Sequence, residues 1–185
     1  MSKIKTIGVL GAGTWGVALA RLLHTNGHEV TVWSKFAEEA ESLAGTRRHT
    51  NLPGMEIPAE IIFTTDIEAA CRNKDILLMA VPSVFVRQTA RSAAAFLAPD
   101  QVIVDVAKGI EPDTLLTMTE VIRDEVTRDG RHDGVRLVAL SGPTHAEEVA
   151  QELPTSIVAA CKDIEVAELV QDVFMNSCMR AYTNK

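Results

Sequence analysis

Cysteine is scarce in this sequence and poorly arranged for structural use. Cys71, Cys161 and Cys178 are widely spaced, odd in number and without a C-x-x-C pair. That pattern argues against a disulfide framework and a thiolate zinc site, and predicts buried apolar thiols in a reducing compartment. The five histidines, at 24, 28, 49, 132 and 145, show no ligand spacing, so no metal is expected. Basic residues are outnumbered: the net charge of −7 argues against nucleic acid as the main partner, though a local basic pocket could still take a phosphorylated ligand. No apolar run reaches the ~18 residues of a membrane span. The opening "MSKIK" passes directly into a strand pattern with no secretory signal, which predicts a cytoplasmic protein. Repeats and low-complexity segments are also missing.

Short apolar runs alternate with longer amphipathic ones. Strands are predicted at Thr6–Leu10, Glu29–Trp33, Ile61–Thr64, Ile76–Val81, Gln101–Val106, Val135–Leu140, Ser156–Ala160 and Met179–Tyr182. Most are rich in Val, Ile and Leu without alternation, the mark of strands covered on both faces. Helices are predicted at Trp15–Thr25, Phe36–Leu43, Ile67–Asn73, Phe85–Leu97, Thr114–Arg128, Ala146–Gln151 and Ile164–Phe174. Start signals precede three of them: Asp66, Ser83, and Pro112-Asp113. With 185 residues the chain suits a single domain able to bury roughly 70% of its unfolded surface. Repeated β-α-β units predict an α/β fold: a mostly parallel, doubly wound sheet with right-handed crossovers and helices on both faces. A basic, aperiodic stretch at 45–58 and a polar connector at 127–134 interrupt the pattern.

The first strand runs into "GAGTWG", where Gly11, Gly13 and Gly16 have the spacing G-x-G-x-x-G. In a Rossmann-type dinucleotide fold the first glycine permits the turn, the second admits a diphosphate to the backbone, and the third lets the helix pack on the sheet. The helix N-terminus then offers free N–H groups to the diphosphate. The competing reading is a tight turn and nothing more. The strand before it and the helix after it supply the context the fingerprint requires. At the end of the second strand, where a carboxylate would hold the ribose 2′-hydroxyl of NAD, the chain reads Trp33-Ser34-Lys35, with no acid until Glu38. Ser34 and Lys35 could accept a 2′-phosphate, which predicts that NADP(H) is accepted. Lys35 as one more solvated lysine is the alternative.

Three other loops fall at carboxyl ends of strands, where ligands collect in open α/β sheets. In "AVPS", Ser83 could cap the next helix or contact a cofactor. In "DVAKGIEPDT", Lys108 could meet a ligand carbonyl or anion, or simply face solvent. In "LSGPTHAEEV", Ser141 and Thr144 could hold a hydroxyl or phosphate or act as a plain helix cap. His145 has no identifiable carboxylate partner for acid/base work.

Taken together, "GAGTWGVALA", "NGHEVTVW", "NLPG", "AVPS", "KGIEPDTL", "LSGPTHAEEVA", "PTSIVAA" and "RAYTN" resemble, in order and spacing over essentially the whole chain, the bacterial-type NAD(P)-dependent glycerol-3-phosphate dehydrogenases. The family uses NAD(P)H to reduce dihydroxyacetone phosphate to sn-glycerol 3-phosphate for phospholipid synthesis. The resemblance implies that Thr14 and Trp15, with Gly11, Gly13 and Gly16, line the cofactor diphosphate loop. It implies that Lys35 meets the adenosine ribose or its 2′-phosphate. The next position is often basic in relatives and is Phe36 here, which weakens the case for strong NADP preference. Lys108 is expected to touch nicotinamide and substrate, as an accessory catalytic group. Gly142 and Thr144 are expected to help hold the substrate, and Ala146 to lie near the cofactor.

Family members continue into a helical domain that carries the general acid/base lysine and a phosphate-binding arginine. This sequence stops at Asn184-Lys185. Residues 1–185 are therefore expected to form the NAD(P)-binding domain, without that helical domain. Such a fragment should bind cofactor with little or no turnover, and it should expose an apolar docking patch that favours a homodimer. Two other readings stay open at this level: a different β-hydroxyacid or sugar-phosphate dehydrogenase, and a non-catalytic NAD(P)-sensing module.

Overall fold

The computed structural model describes residues 3–185. Eight strands form one sheet: β1 (Thr6–Leu10), β2 (Glu29–Trp33), β3 (Ile62–Thr64), β4 (Ile76–Met79), β5 (Val102–Asp105), β6 (Arg136–Ser141), β7 (Thr155–Ala160) and β8 (Met179–Asn184). Seven helices connect them: α1 (Thr14–Thr25), α2 (Ala37–Thr46), α3 (Ile67–Cys71), α4 (Ser83–Ala94), α5 (Met118–Val126), α6 (Ala146–Ala150) and α7 (Ile164–Phe174). The spatial order is β3-β2-β1-β4-β5-β6-β7-β8. Every neighbouring pair is parallel except β6 and β7. The expected doubly wound α/β sheet of Rossmann type is what forms. Chain order reverses between β1 and β4, and the crevice at their carboxyl ends is the ligand position of such sheets.

Alternate residues of the central strands feed two separate cores. Ile7 and Val9 of β1, Ile76 and Leu78 of β4, and Val102 and Val104 of β5 pack toward α1, α6 and α7. Leu10, Leu77, Met79 and Ile103 pack toward α3, α4 and α5. Both faces are dry, which is why these strands read as unbroken apolar runs. β7 and β8 differ. Their burial alternates, with Val158 and Tyr182 exposed, because α7 covers only one of their faces. Gly8 allows α3 to lie directly on β1: a Cβ there would stand 1.9 Å from the Ala70 carbonyl oxygen.

Helix starts depart from expectation at three places. Ser83 does not cap α4; Pro82 is the N-cap, with its fixed φ of −54° and extended ψ, and Ser83 is the first helical residue. Neither Ser141 nor Thr144 caps α6, whose N-cap is His145 without a side-chain bond. The fifth helix begins at Met118, not Thr114, so Pro112-Asp113 does not open it. Residues 110–117 instead form a loop closed by an Ile110–Thr117 bridge, with Leu115 at φ 57°. A reciprocal capping box decides that start. Thr117 Oγ1 accepts from the Glu120 N–H, and the Glu120 carboxylate accepts from the Thr117 N–H at 2.8 Å.

Thr117→Ala should lower the unfolding free energy in urea by about 1 kcal/mol, the ordinary value of an N-cap. Asp113→Ala, at the start signal the fold does not use, should leave the urea midpoint unchanged.

Candidate functional site

The three glycines after β1 do different physical jobs. Gly11 has φ +124°, and a Cβ on it would stand 2.7 Å from the Ala80 backbone, so the turn needs glycine there. A Cβ on Gly16 would stand 2.1 Å from the Gly11 carbonyl oxygen, so α1 can touch β1 only through a hydrogen-bearing Cα. Gly13 has an ordinary φ of −67°, and its Cβ would meet no protein atom within 4 Å. It faces open space. As N-cap of α1 it brings no side-chain cap, and the first turn contains no acidic residue. The Thr14, Trp15 and Gly16 N–H groups therefore precede the first helical bond, from the Val17 N–H to the Gly13 carbonyl. They leave the positive end of the helix bare.

A groove runs across this helix end in two parts that share Gly13 and the Ala80-Val81-Pro82 turn. One cavity, of about 310 Å³, lies between the end of β2 and α4, walled by Trp33, Lys35, Phe36, Glu39 and Phe85. The other, of about 470 Å³, runs past Thr14, Trp15, Ser83 and Lys108 to Thr144 and Ala146. Asn51, from the aperiodic stretch after α2, donates to Thr14 Oγ1 at 3.4 Å and borders the glycine loop.

Lys108 crosses from the loop after β5 to the loop after β6. Its Nζ donates to the Thr144 carbonyl at 3.3 Å and to the Gly142 carbonyl at 3.5 Å. Lys108, Gly142, Thr144 and Ala146, separate in sequence, thus meet on one side of the groove, while Lys35 stands at the other end. Gly142 is constrained by β7, since a Cβ would fall 2.6 Å from the Ser156 carbonyl oxygen. His145 is exposed and makes no side-chain hydrogen bond at its cap position. Ser34 contradicts its expected part in holding a phosphate. It is 2% exposed, donates to the Glu39 carboxylate, and accepts from the Phe36 N–H at 3.0 Å.

The Lys108 loop is held by charges that sequence reading passed over. Arg87 of α4 makes a two-pronged contact with Glu111, at 2.8 and 2.7 Å, and also bonds Glu125 at 2.7 Å and Asp124. Arg91 and Arg128 complete a ring around Glu125, whose side chain is 1% exposed. Hydrogen bonds from Arg87 and Arg91 hold the Glu111 and Glu125 carboxyls down at about 2. Asp105, at the end of β5, goes the other way. It accepts from the Ala107 N–H and the Thr119 hydroxyl, both at 3.0 Å, but burial pushes its carboxyl up to about 6. The Thr114 hydroxyl also donates to Glu111 at 2.6 Å, and this and the Thr119/Asp105 pairing join residues brought near by the loop, so spacing alone gave little sign of them. Among the described residues, no cluster of His, Cys, Asp or Glu could hold a metal ion. The three cysteines are free, and burial pushes the Cys71 thiol up to about 12.

The model of the "NAD-dependent glycerol-3-phosphate dehydrogenase N-terminus" family matches residues 6–167. The chain belongs to that family. It is 67% identical over 178 residues to a glycerol-3-phosphate dehydrogenase [NAD(P)+] 2 of Lactobacillus delbrueckii subsp. bulgaricus, covering 96% of this chain and 53% of that protein. It is 46% identical over 179 residues to the glycerol-3-phosphate dehydrogenase [NAD(P)+] of Agathobacter rectalis, with coverages of 96% and 52%. A crystal structure of glycerol-3-phosphate dehydrogenase from Coxiella burnetii superposes with a TM-score of 0.88 at 26% identity, over 98% of this chain and 54% of that one. The chain spans about half the length of the curated relatives it matches. NAD(P)H is the cofactor of this family. The site fits it: a glycine with open space before it, a bare helix end, and a groove continuing to both sides.

Asp105 gives this family member a defined pH signature. Its folded value lies above the unfolded 3.8, so its contribution to stability is complete below that value and is lost as pH rises through about 6. Asp105→Asn removes the charge and keeps an acceptor for the Ala107 N–H. The variant should match the parent in urea denaturation near pH 3.5 and exceed it by on the order of 2 kcal/mol at pH 8.

Proposed function

We propose that this chain is the NAD(P)H-binding domain, residues 1–185, of an oxidoreductase that reduces dihydroxyacetone phosphate to sn-glycerol 3-phosphate, a precursor of glycerophospholipids. The observation that carries this reading is the meeting of Lys108 with the Gly142 and Thr144 carbonyls beside the bare amides of Gly13 to Gly16. The reading assigns the following roles. Gly11 and Gly16 shape the turn, and Gly13, Thr14 and Trp15 present backbone to the diphosphate. Lys35 borders the adenosine side and Ala146 the nicotinamide side. Gly142 and Thr144 border the substrate.

When bound, the dihydronicotinamide supplies the hydride that reduces the C2 carbonyl. The Lys108 ammonium is fixed by two carbonyl oxygens, which accept two of its three protons and leave one side for the substrate. A fixed cation there stabilises negative charge growing on the carbonyl oxygen, and it needs no reorganisation to do so. Its position depends on the loop that Arg87 clamps through Glu111. The general acid/base lysine belongs, in this reading, to the part of the longer relatives that this chain does not match. Location in the cytoplasm and a homodimer are parts of the same reading. Among the described residues no helix is long and apolar enough to cross a membrane. Val84, Phe85, Ile110 and Leu115 are exposed apolar groups near the groove that suit a self-association contact.

Two measurements test the proposal. NADH fluorescence titration should show saturable binding, and Gly13→Val should abolish it while costing no more than about 1 kcal/mol of stability, because a Cβ at this N-cap has no protein atom within 4 Å. Unchanged NADH binding by Gly13→Val would reduce the loop to a tight turn. Oxidation of NAD(P)H with dihydroxyacetone phosphate should run at least ~10²-fold slower than in a full-length relative, the least that loss of a general acid costs. Turnover at the relative's rate would refute the assignment of the acid/base group.

A further inference from the structure

The carboxylate missing from the end of β2 in sequence is present there in space. Ser34 follows the last residue of that strand, and its hydroxyl donates to Oε2 of Glu39, which reaches back from the first turn of α2. The hydroxyl has one proton to give. The Phe36 N–H occupies its acceptor side at 3.0 Å, so the rotor is fixed and the proton committed to Glu39. Ser34 thereby acts as a tether rather than a ligand. Glu39 is half-buried in the wall of the adenosine-side cavity, together with Gly11, Gly13 and Trp33. Among the described residues its second oxygen, Oε1, accepts no protein hydrogen bond.

In open dinucleotide sheets the adenosine ribose lies at the end of the second strand. A carboxylate there accepts a hydrogen bond from a 2′-hydroxyl and repels a 2′-phosphate. Two nearby groups bear on the charge. His49 faces Glu39, but burial lowers its pKa, so near pH 7.5 it is neutral and does not cancel the carboxylate. Lys35 is exposed and, among the described residues, has no ion-pair partner, so solvent and salt screen its attraction for a phosphate. The fixed, half-buried anion therefore outweighs the mobile, solvated cation. We propose that Glu39, tethered through Ser34, selects NADH over NADPH at this site. The inference rests on the cofactor reading above and revises the expectation that Ser34 and Lys35 accept a 2′-phosphate.

Parallel fluorescence titrations of this chain with NADH and NADPH at pH 7.5 test it. NADH should bind about tenfold or more tightly than NADPH, the size of one charge-assisted contact exchanged for a repulsion. Glu39→Gln keeps the shape and an acceptor for Ser34 but removes the charge. It should bring the ratio of the two dissociation constants to within about threefold, mainly by tightening NADPH. A purely structural role for Glu39 would move both affinities together and leave the ratio alone. If Glu39→Gln fails to fold, Ser34→Ala loosens the tether and should lower the ratio part of the way. Equal or tighter NADPH binding by the parent chain overturns the proposal, as does an unchanged ratio in a folded Glu39→Gln. A preference for NADPH that Lys35→Ala removes would assign selection to the lysine instead. Failure of the parent to bind either nucleotide would sink the cofactor reading itself, a distinct result from a ratio near one.

Discussion

The backbone contact between α1 and the turn that follows β1 sets the rest of the molecule. Gly16 rests on the Gly11 carbonyl so closely that a methyl group would lie 2.1 Å from its oxygen. That approach drives the helix down onto the sheet and aims its first amides into the crevice between β1 and β4. On the opposite face Gly8 performs the same service for α3. The central strand is thus pinched between two helices at backbone distance. The ligand-facing loops all start from strands whose positions follow from that pinch. A strand packed through larger side chains would hold its helices further off, and the bare N–H groups would retreat from the groove.

Charge then fixes what packing leaves free. The loop carrying Lys108 has few buried side chains of its own. Glu111 ties it to Arg87, and Arg87 is in turn held by Glu125 among three guanidinium groups. Ion pairs of this kind cost desolvation that offsets much of their attraction, so they are weak grounds for expecting extra stability. Their geometry is the better explanation for their presence. A guanidinium gripping a carboxylate by two parallel bonds fixes an angle as well as a distance. Lys108, in the same loop as Glu111, inherits that orientation.

Much of this could be read from the residues in order. The eight strands stood out because burial on both faces makes β1, β4 and β5 continuous in Val, Ile and Leu. The glycine fingerprint stood out because each glycine answers a local steric demand. The start of α5 was misread because Pro112-Asp113 is a legitimate start signal. The stronger one, Thr117 with Glu120, lay four residues further on inside an apolar-polar pattern that continued across both. β7 and β8 are among the strands that alternate, since covering a strand depends on helices elsewhere in the chain. The Ser34–Glu39 pair was hidden for another reason. An acid five residues past a strand end looks like the solvated first turn of a helix until the backbone turn folds it back.

The groove carries its charges in a definite order. Glu39 stands at the β2 end, the positive end of α1 in the middle, and Lys108 at the far side. That sequence of acceptor, amide cradle and cation matches a ligand with a hydroxyl donor at one end, a diphosphate at its centre and a polarised carbonyl beyond. The net charge of −7 works against any anion approaching from a distance. At physiological ionic strength, however, that repulsion fades beyond ~8 Å, whereas the amides and Lys108 act at hydrogen-bond range. Recognition is therefore decided inside the groove. An anionic protein can hold an anionic cofactor because the partial charges it presents there are backbone amides that bring no counter-ion with them.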